Sequence, residues 1–424
     1  MKPGTRSTLG PKWLIMALFL ALASSALASN TWYVDGVNGN DTNDCMSQQT
    51  ACRTIGHAIA LTQPGTAVIM VAPAIYVENL TIHRSLKIIG SDAATTIVDG
   101  NQAGSVFTIS NANSHVYLSN LTIRNGSAQS GGGINNSGTL AIDKSTITGN
   151  SVAGIWGGGG INSSGNLTIN NSTISNNSGN YGGGILVQSG TATINKSIIT
   201  NNIVINNSLG SGYGGGILNY CPFGALCSLT INDSTIANNN SFEGGGIFND
   251  YYASLIINNS TISNNGASGG AGGLVFWGRG IVNNSTISGN SGLYGGGMSS
   301  PFRKHITLQN TIVANSPSGG NCYMQDGSTI TSKGYNLSSD NTCNFNGPGD
   351  RNNTDPMLGP LGFHGGPTQT VPLASGSPAI DAGNPNGCTN SNGNLLTTDQ
   401  RGWRRPDKNH TGGCDIGAYE RQQQ

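Results

Sequence analysis

Between Gly131 and Met298 the chain alternates apolar and polar residues in short bursts, and the bursts recur. In Gly165-Asn166-Leu167-Thr168-Ile169-Asn170 the two aliphatic side chains fall on one face of an extended strand, with Thr168 and Asn170 on the other. The same alternation returns at Leu140/Ile142, Leu229/Ile231, Leu255/Ile257 and Ile306/Leu308. A glycine run precedes each burst and ends in an aliphatic residue, at Ile134, Ile161, Ile185, Ile217, Ile247, Leu274 and Met298. A Ser-Thr-Ile-like triplet follows, closing at Ile147, Ile174, Ile199, Ile236, Ile262, Ile287 and Ile312. Three positions further stands an asparagine: Asn150, Asn177, Asn202, Asn239, Asn265, Asn290 and Asn315. The interval is mostly 24 to 27 residues. Two-residue alternation repeated at this period, without a helical pattern, predicts one coil of a β-solenoid per repeat.

No single coil can bury its own apolar face. Stacking at about 4.8 Å per layer turns the aliphatic columns into a continuous core. The glycine runs are expected at corners, where positive φ and close backbone approach are needed. The asparagine column is expected at a second corner, because Asn tolerates the left-handed region and its amide can bond the next coil's amide. The 37-residue interval from Ile199 to Ile236 leaves room for loops at Ile203 to Tyr213 and at Cys221-Pro-Phe-Gly-Ala-Leu-Cys227.

Composition narrows the class. Of 424 residues, 65 are glycine and only 9% are charged, against about 25% in an ordinary soluble protein. The net charge of zero gives no electrostatic reason to expect nucleic acid or an anionic membrane as partner. Lys2, Arg6 and Lys12 precede the apolar stretch Trp13 to Leu22 and the small-residue site Ala26-Leu27-Ala28, which predicts an export signal over residues 1–28, cleaved after Ala28. Export makes disulfides the expected state of the eight cysteines. Nearest neighbours would be Cys45 with Cys52, Cys221 with Cys227, Cys322 with Cys343 and Cys388 with Cys414, although eight cysteines allow 105 connectivities.

The Gly-Gly-Gly-Ile and Asn-Ser-Thr-Ile-x-x-Asn phrases resemble the right-handed parallel β-helix repeats of bacterial surface proteins, and the repeats of polymorphic outer-membrane proteins. Trp32-Tyr33-Val34-Asp35, Gly39-Asn40-Asp41 and Cys52-Arg53-Thr54-Ile55-Gly56-His57 resemble the opening segment of pectin-lyase-like β-helices. That resemblance implies a strand and a short helix, about Thr54 to Thr62, capping the first coil. Asp355-Pro356, Gly365-Gly366-Pro367, Gly376-Ser377-Pro378-Ala379-Ile380-Asp381, Asp399-Gln400-Arg401-Gly402 and Cys414-Asp415-Ile416-Gly417-Ala418-Tyr419-Glu420 resemble the choice-of-anchor Q domain. The expected organisation is an all-β, single-stranded right-handed parallel β-helix over residues 29–318, with its cap at about 29–64. A carboxyl-terminal capping module is expected over 319–424. No sorting motif follows Glu420, so release to the medium or periplasm is expected over anchoring; the localisation is secreted, extracellular or cell-surface.

Chemistry is sparse. Gly126 to Ser300 holds seven charged residues and no histidine. Lys196, Asp233, Glu243 and Asp250 are the catalytic candidates that a polysaccharide lyase or glycosidase of this fold would use, with a surface ion pair as the plainer reading. Asp35, Asn38, Asn40, Asp41, Asn43 and Asp44 offer oxygen ligands for calcium, but in the language of turns; no cofactor is expected. Asp381, Asp399, Arg401, Arg404, Arg405, Asp415 and Glu420 read as a structural ion-pair network. Trp156, Tyr181, Tyr213, Phe242 and Tyr294 each precede a glycine run and would stack as a column, either as a platform for sugar rings or as mutual support between coils. The preferred function is a non-enzymatic, adhesin-like protein binding polysaccharide or a cell-surface partner. The alternatives are a lyase or hydrolase and a structural envelope or matrix component.

Overall fold

A computed structural model describes residues 30–63, 65, 67–205, 212–225, 227–407 and 413–422. The expected export signal lies outside the described residues, as do positions 206–211 of the expected loop between Ile203 and Tyr213. The chain forms a parallel β-solenoid with three long sheets of twelve, eleven and ten strands and a short six-stranded ladder at one corner. Each coil gives one strand to each long sheet in turn, as in Asn166–Asn170, Thr173–Ser175 and Ile185–Val187. The only helix among the described residues longer than a turn, Ile55–Leu61, covers the first coil; Thr54 caps it by accepting from His57 N. None of the described helices is long and apolar enough to cross a membrane.

The alternating bursts form the first sheet, with Leu140, Leu167, Ala192, Leu229 and Leu255 in one column and Ile142, Ile169, Ile194, Ile231 and Ile257 in the next. All ten are at most 1% exposed. Full burial of an aliphatic side chain contributes about 1.5–3 kcal/mol, so every coil strengthens its neighbours. Gly280 interrupts the leucine column, and the Phe276 ring fills the space: a Cβ there would meet Phe276 Cε1 at 2.2 Å. The second sheet carries the triplets, and the third carries the aliphatic residues that end the glycine runs.

The corners follow from local chemistry. Gly214 has φ +69°, and a Cβ on Gly215 would lie 2.5 Å from the Gly245 carbonyl oxygen of the next coil. The asparagine column corrects one expectation. Asn150, Asn177, Asn202, Asn239, Asn265 and Asn290 do form a buried ladder, each Nδ2 donating to the next Oδ1 at 3.0 Å. The left-handed residue is the one before it, at Asn176, Asn201, Asn238 and Asn264, with a further left-handed corner at Lys144, Asn171, Lys196, Asp233 and Asn259. A ladder side chain must point inward, which leaves the turn itself to its neighbour.

The last of the seven expected repeats is one residue out of the expected frame. Thr286 pairs with Ile312, and Ile287 pairs with Val313. Ile312 therefore points outward, and Asn315 takes the left-handed position with φ 55°, so the ladder stops at Asn290. The solenoid also runs past the expected boundary at 318/319, since Cys322–Met324, Thr329–Ser332 and Leu337–Ser338 extend the three sheets.

From about residue 353 the chain turns back along the second sheet. Gln400 Nε2 donates to Thr235 Oγ1 at 3.0 Å, Thr261 Oγ1 donates to Gln400 Oε1 at 2.6 Å, and Ala418 N donates to Thr286 Oγ1 at 3.0 Å. Ile312, Ala314 and Leu337 pack with Leu373, Ala379 and Ile416. Inside this strap, Arg401–Asp399 at 2.6 Å and Arg405–Glu420 at 2.9 Å are buried ion pairs. All four expected disulfides are present, with Cα separations of 4.9 to 6.0 Å.

Candidate functional site

The aromatic column divides. Trp156 stacks on Tyr181 with centroids 4.1 Å apart and planes 10° from parallel, and Tyr213 approaches Tyr181 at 5.9 Å. The series then passes through Phe248 and Trp277 to Phe302, at 4.6, 4.8 and 4.9 Å. Phe242 instead lies over Gly269, and Tyr294 pairs with Tyr323 at 5.1 Å. Tyr181, Tyr213 and Trp277 pack over Leu186, Leu218 and Val275, the outward residues of the third sheet. Tyr181 is only 6% exposed, with rings on either side of it. Tyr181, Tyr213, Phe248 and Trp277 thus form a second small core outside the sheet, whereas Trp156 and Tyr294 are 51% and 47% exposed.

The four candidate catalytic residues do not converge. Lys196 and Asp233 line one hollow on the outer face of the first sheet. Burial pushes the Asp233 carboxyl above its usual range, opposed by a 2.6 Å hydrogen bond from Asn259 Nδ2 and by the charge of Lys196. Glu243 stands beside Gly270 on the aromatic side, its carboxyl raised by burial. Asp250 accepts the Cys221 N–H at 3.4 Å and braces the disulfide loop. Asp143, which lines an adjoining hollow, is in register with Asn232 three coils away. Three coils are about 14 Å, beyond the roughly 5–9.5 Å that separate paired glycosidase carboxylates.

The amino-terminal acids serve turns. Asp35 Oδ1 accepts from Val37 N and Asn38 N, Asp41 Oδ1 from Arg53 N and Thr54 N, and Asp44 Oδ1 from Met46 N and Thr50 Oγ1, all at 2.6 to 3.0 Å. Hydrogen bonds hold Asp35 and Asp44 below the usual carboxylate range, and at Asp41 they outweigh the opposing effect of burial.

A different group of side chains gathers at the starts of the first-sheet strands. The Cys221–Cys227 disulfide closes a short loop whose Phe223 is 86% exposed. One coil on, the turn at Tyr251 and Tyr252 brings a second ring beside it, with Phe223 and Tyr252 centroids 5.4 Å apart and nearly perpendicular. Tyr251 meets Tyr252 at 5.0 Å, and Lys304 Nζ lies 3.5 Å above the Tyr251 ring. With Arg279, Ser228 and Ser254 they line a cleft of about 700 Å³ that holds no acidic side chain among the described residues. The loop was legible as an insertion between its cysteines. Its meeting with Tyr251, Tyr252 and Lys304 was not, because it depends on the register between coils.

The sequence model of the family described as "Right handed beta helix region" matches residues 67–224. Among solved structures, the complex of XylC with xylose is 9% identical, with a TM-score of 0.52 over 92% of this chain and 98% of that one. Pectate lyase Pel9A is 14% identical, with a TM-score of 0.44 over 92% and 96%. Pectin methylesterase PemA from Erwinia chrysanthemi is 14% identical, with a TM-score of 0.33 over 73% and 89%. No curated protein matches the sequence. The fold is a right-handed parallel β-helix.

Proposed function

We propose that this protein is a non-enzymatic, exported β-helix that binds polysaccharide on the outer face of its first sheet. The observation that carries this reading is the cleft of Phe223, Tyr251 and Tyr252 with Arg279 and Lys304. Exposed rings set at steep angles present apolar faces to the C–H faces of sugars at little entropic cost, while the two cations and Ser228 supply hydrogen bonds to hydroxyl or carboxylate oxygens and Ser254 Oγ, which donates to the Cys227 carbonyl, accepts from a hydroxyl. The wide separation of Asp143 and Asp233 favours binding over two-carboxylate hydrolysis. The carboxyl-terminal strap, which resembles the choice-of-anchor Q domain, belongs to this reading as a supporting element.

Xylan, polygalacturonate and uncharged glucans form a rational first panel for a binding assay on the mature protein. Phe223→Ala and Tyr252→Ala should each weaken binding roughly three- to tenfold with little change in melting temperature. Full affinity in the double variant would remove the cleft from the account. Degradation products that appear with the native protein and vanish in Lys196→Ala would replace binding with catalysis.

A further inference from the structure

A second track lies on the same face, at the ends of the first-sheet strands. Asp143, Asn170, Asn195, Asn232, Asn258 and Asn283 occupy one row in successive coils. Asn195 Nδ2 donates to Asn170 Oδ1 and Asn232 Nδ2 to Asn195 Oδ1, both at 2.9 Å. Asn258 Nδ2 donates to Asn232 Oδ1 at 3.0 Å. A carboxamide has two donor hydrogens and two acceptor lone pairs. The ladder uses one of each, so half-buried Asn195 and Asn232 keep an N–H and a lone pair for a ligand. Such a pair complements a hydroxyl group, which donates and accepts at once. It recurs at about 4.8 Å per coil, close to the step of one extended pyranose residue.

The track stops abruptly. Asn258 and Asn283 are 6% and 3% exposed beneath a loop of the strap. There Ser391 N donates to Asn258 Oδ1 at 3.1 Å and Asn284 Nδ2 donates to the Thr389 carbonyl at 2.6 Å. Asn390, Ser391, Asn392 and Leu396 wall off a hollow of about 490 Å³. In the other direction Asn195 and Lys196 are shared with a further hollow that runs on to Asn170, Asp143 and Tyr117.

We infer that this track is a second glycan site, separate from the aromatic cleft, and that it takes the end of a polysaccharide chain. The inference rests on the reading that the protein binds glycan. A chain laid from Asn170 to Asn232 meets the strap loop at the next coil and cannot continue. Its last residue sits against Lys196, Asp233 and the loop, and the rest leaves past Tyr117.

The test uses the Phe223→Ala/Tyr252→Ala protein, which lacks two of the three rings of the cleft and keeps the track. Its binding capacity per gram is measured for xylan and polygalacturonate, intact and after partial cleavage. Doubling the number of chain ends should double the capacity. Asn195→Ala with Asn232→Ala should weaken this binding about tenfold. Replacing Asn390 to Gly393 with two glycines should open the blind end and make capacity independent of chain length. Capacity indifferent to chain length before that replacement overturns end recognition, as does complete loss of binding in the cleft variant when the native protein binds. Failure of the native protein to bind either polymer sinks the glycan reading and this one together.

Discussion

Asn239 shows how much one side chain carries in a stack of coils. It is 1% exposed, and its Nδ2 donates both to the Ile199 carbonyl and to Asn265 Oδ1 at 3.0 Å. Its Oδ1 accepts from Asn202 N at 2.9 Å and from Asn202 Nδ2 at 3.0 Å. Asn239→Ala would remove all four of these hydrogen bonds from a dry interior, leaving Asn265 Oδ1 only the Asn239 N–H and Asn202 Nδ2 only the Ile174 carbonyl, and should cost roughly 3 kcal/mol. Asn240→Ala, at an exposed position, should stay within about 0.5 kcal/mol; equilibrium denaturation of both variants separates the two cases. Asp415 is the opposite kind of residue. Burial, reinforced by the nearby Glu420 carboxylate, pushes it up to about 7. The folded chain therefore binds this proton more tightly than the unfolded chain does. Its contribution is fully present below about pH 4, is lost as pH rises towards 7, and stays lost above. Asp415→Asn removes the titration together with one of the two N–H bonds that the carboxyl accepts, from Asp381 and Arg421, so its melting temperature should start lower near pH 4 and fall less than the native protein's between pH 4 and pH 7.

Among the elements, the aromatic wall of the third sheet is the most exposed to misreading. Tyr213 touches Tyr181, Phe248 and Trp277. Tyr213→Ala opens a gap between coils and should lower stability by roughly 2–4 kcal/mol, while affinity for any glycan bound at the Phe223 cleft stays unchanged. Thermal melts and binding isotherms on the same variant check both halves. The chain announced the strands of this wall but not its purpose. Period-two alternation names inward residues such as Ile185 and Ile217 directly, because their partners are identical residues one repeat away. Outward residues have partners from elsewhere. Leu186 and Leu218 are buried by rings from the preceding corner, and Ile312 by the strap. Adjacent Ile312 and Val313 satisfy either frame, so the last triplet was misplaced by one residue. Phe223 and Tyr252 become neighbours only through the pairing of Cys227 with Ala253, which no local pattern specifies.

At the scale of the molecule, a solenoid distributes its stability coil by coil, and each layer senses chiefly its two neighbours. The strap breaks that rule. It reaches five consecutive second-sheet positions, Thr235, Thr261, Thr286, Ile312 and Leu337, through Gln400, Ala418, Leu373 and Ile416. Those coils are therefore tied to one another as well as to their neighbours, whereas the coils of Thr122, Thr146 and Thr173 keep half-exposed outward threonines. The Cys388–Cys414 disulfide, 26 residues apart in sequence, holds the strap in its returning course. Closing a loop of that length restricts the unfolded chain by roughly 3 kcal/mol. Cys388→Ser with Cys414→Ser should then act regionally. Amide hydrogen exchange should speed up in the strap and in the coils from Thr235 to Leu337, and remain unchanged from Thr122 to Ser175. Uniform acceleration along the whole solenoid would mean that the strap governs global unfolding and not a local block. No change anywhere would mean that packing of Ile312, Leu337 and Ile416 holds the strap without the covalent link.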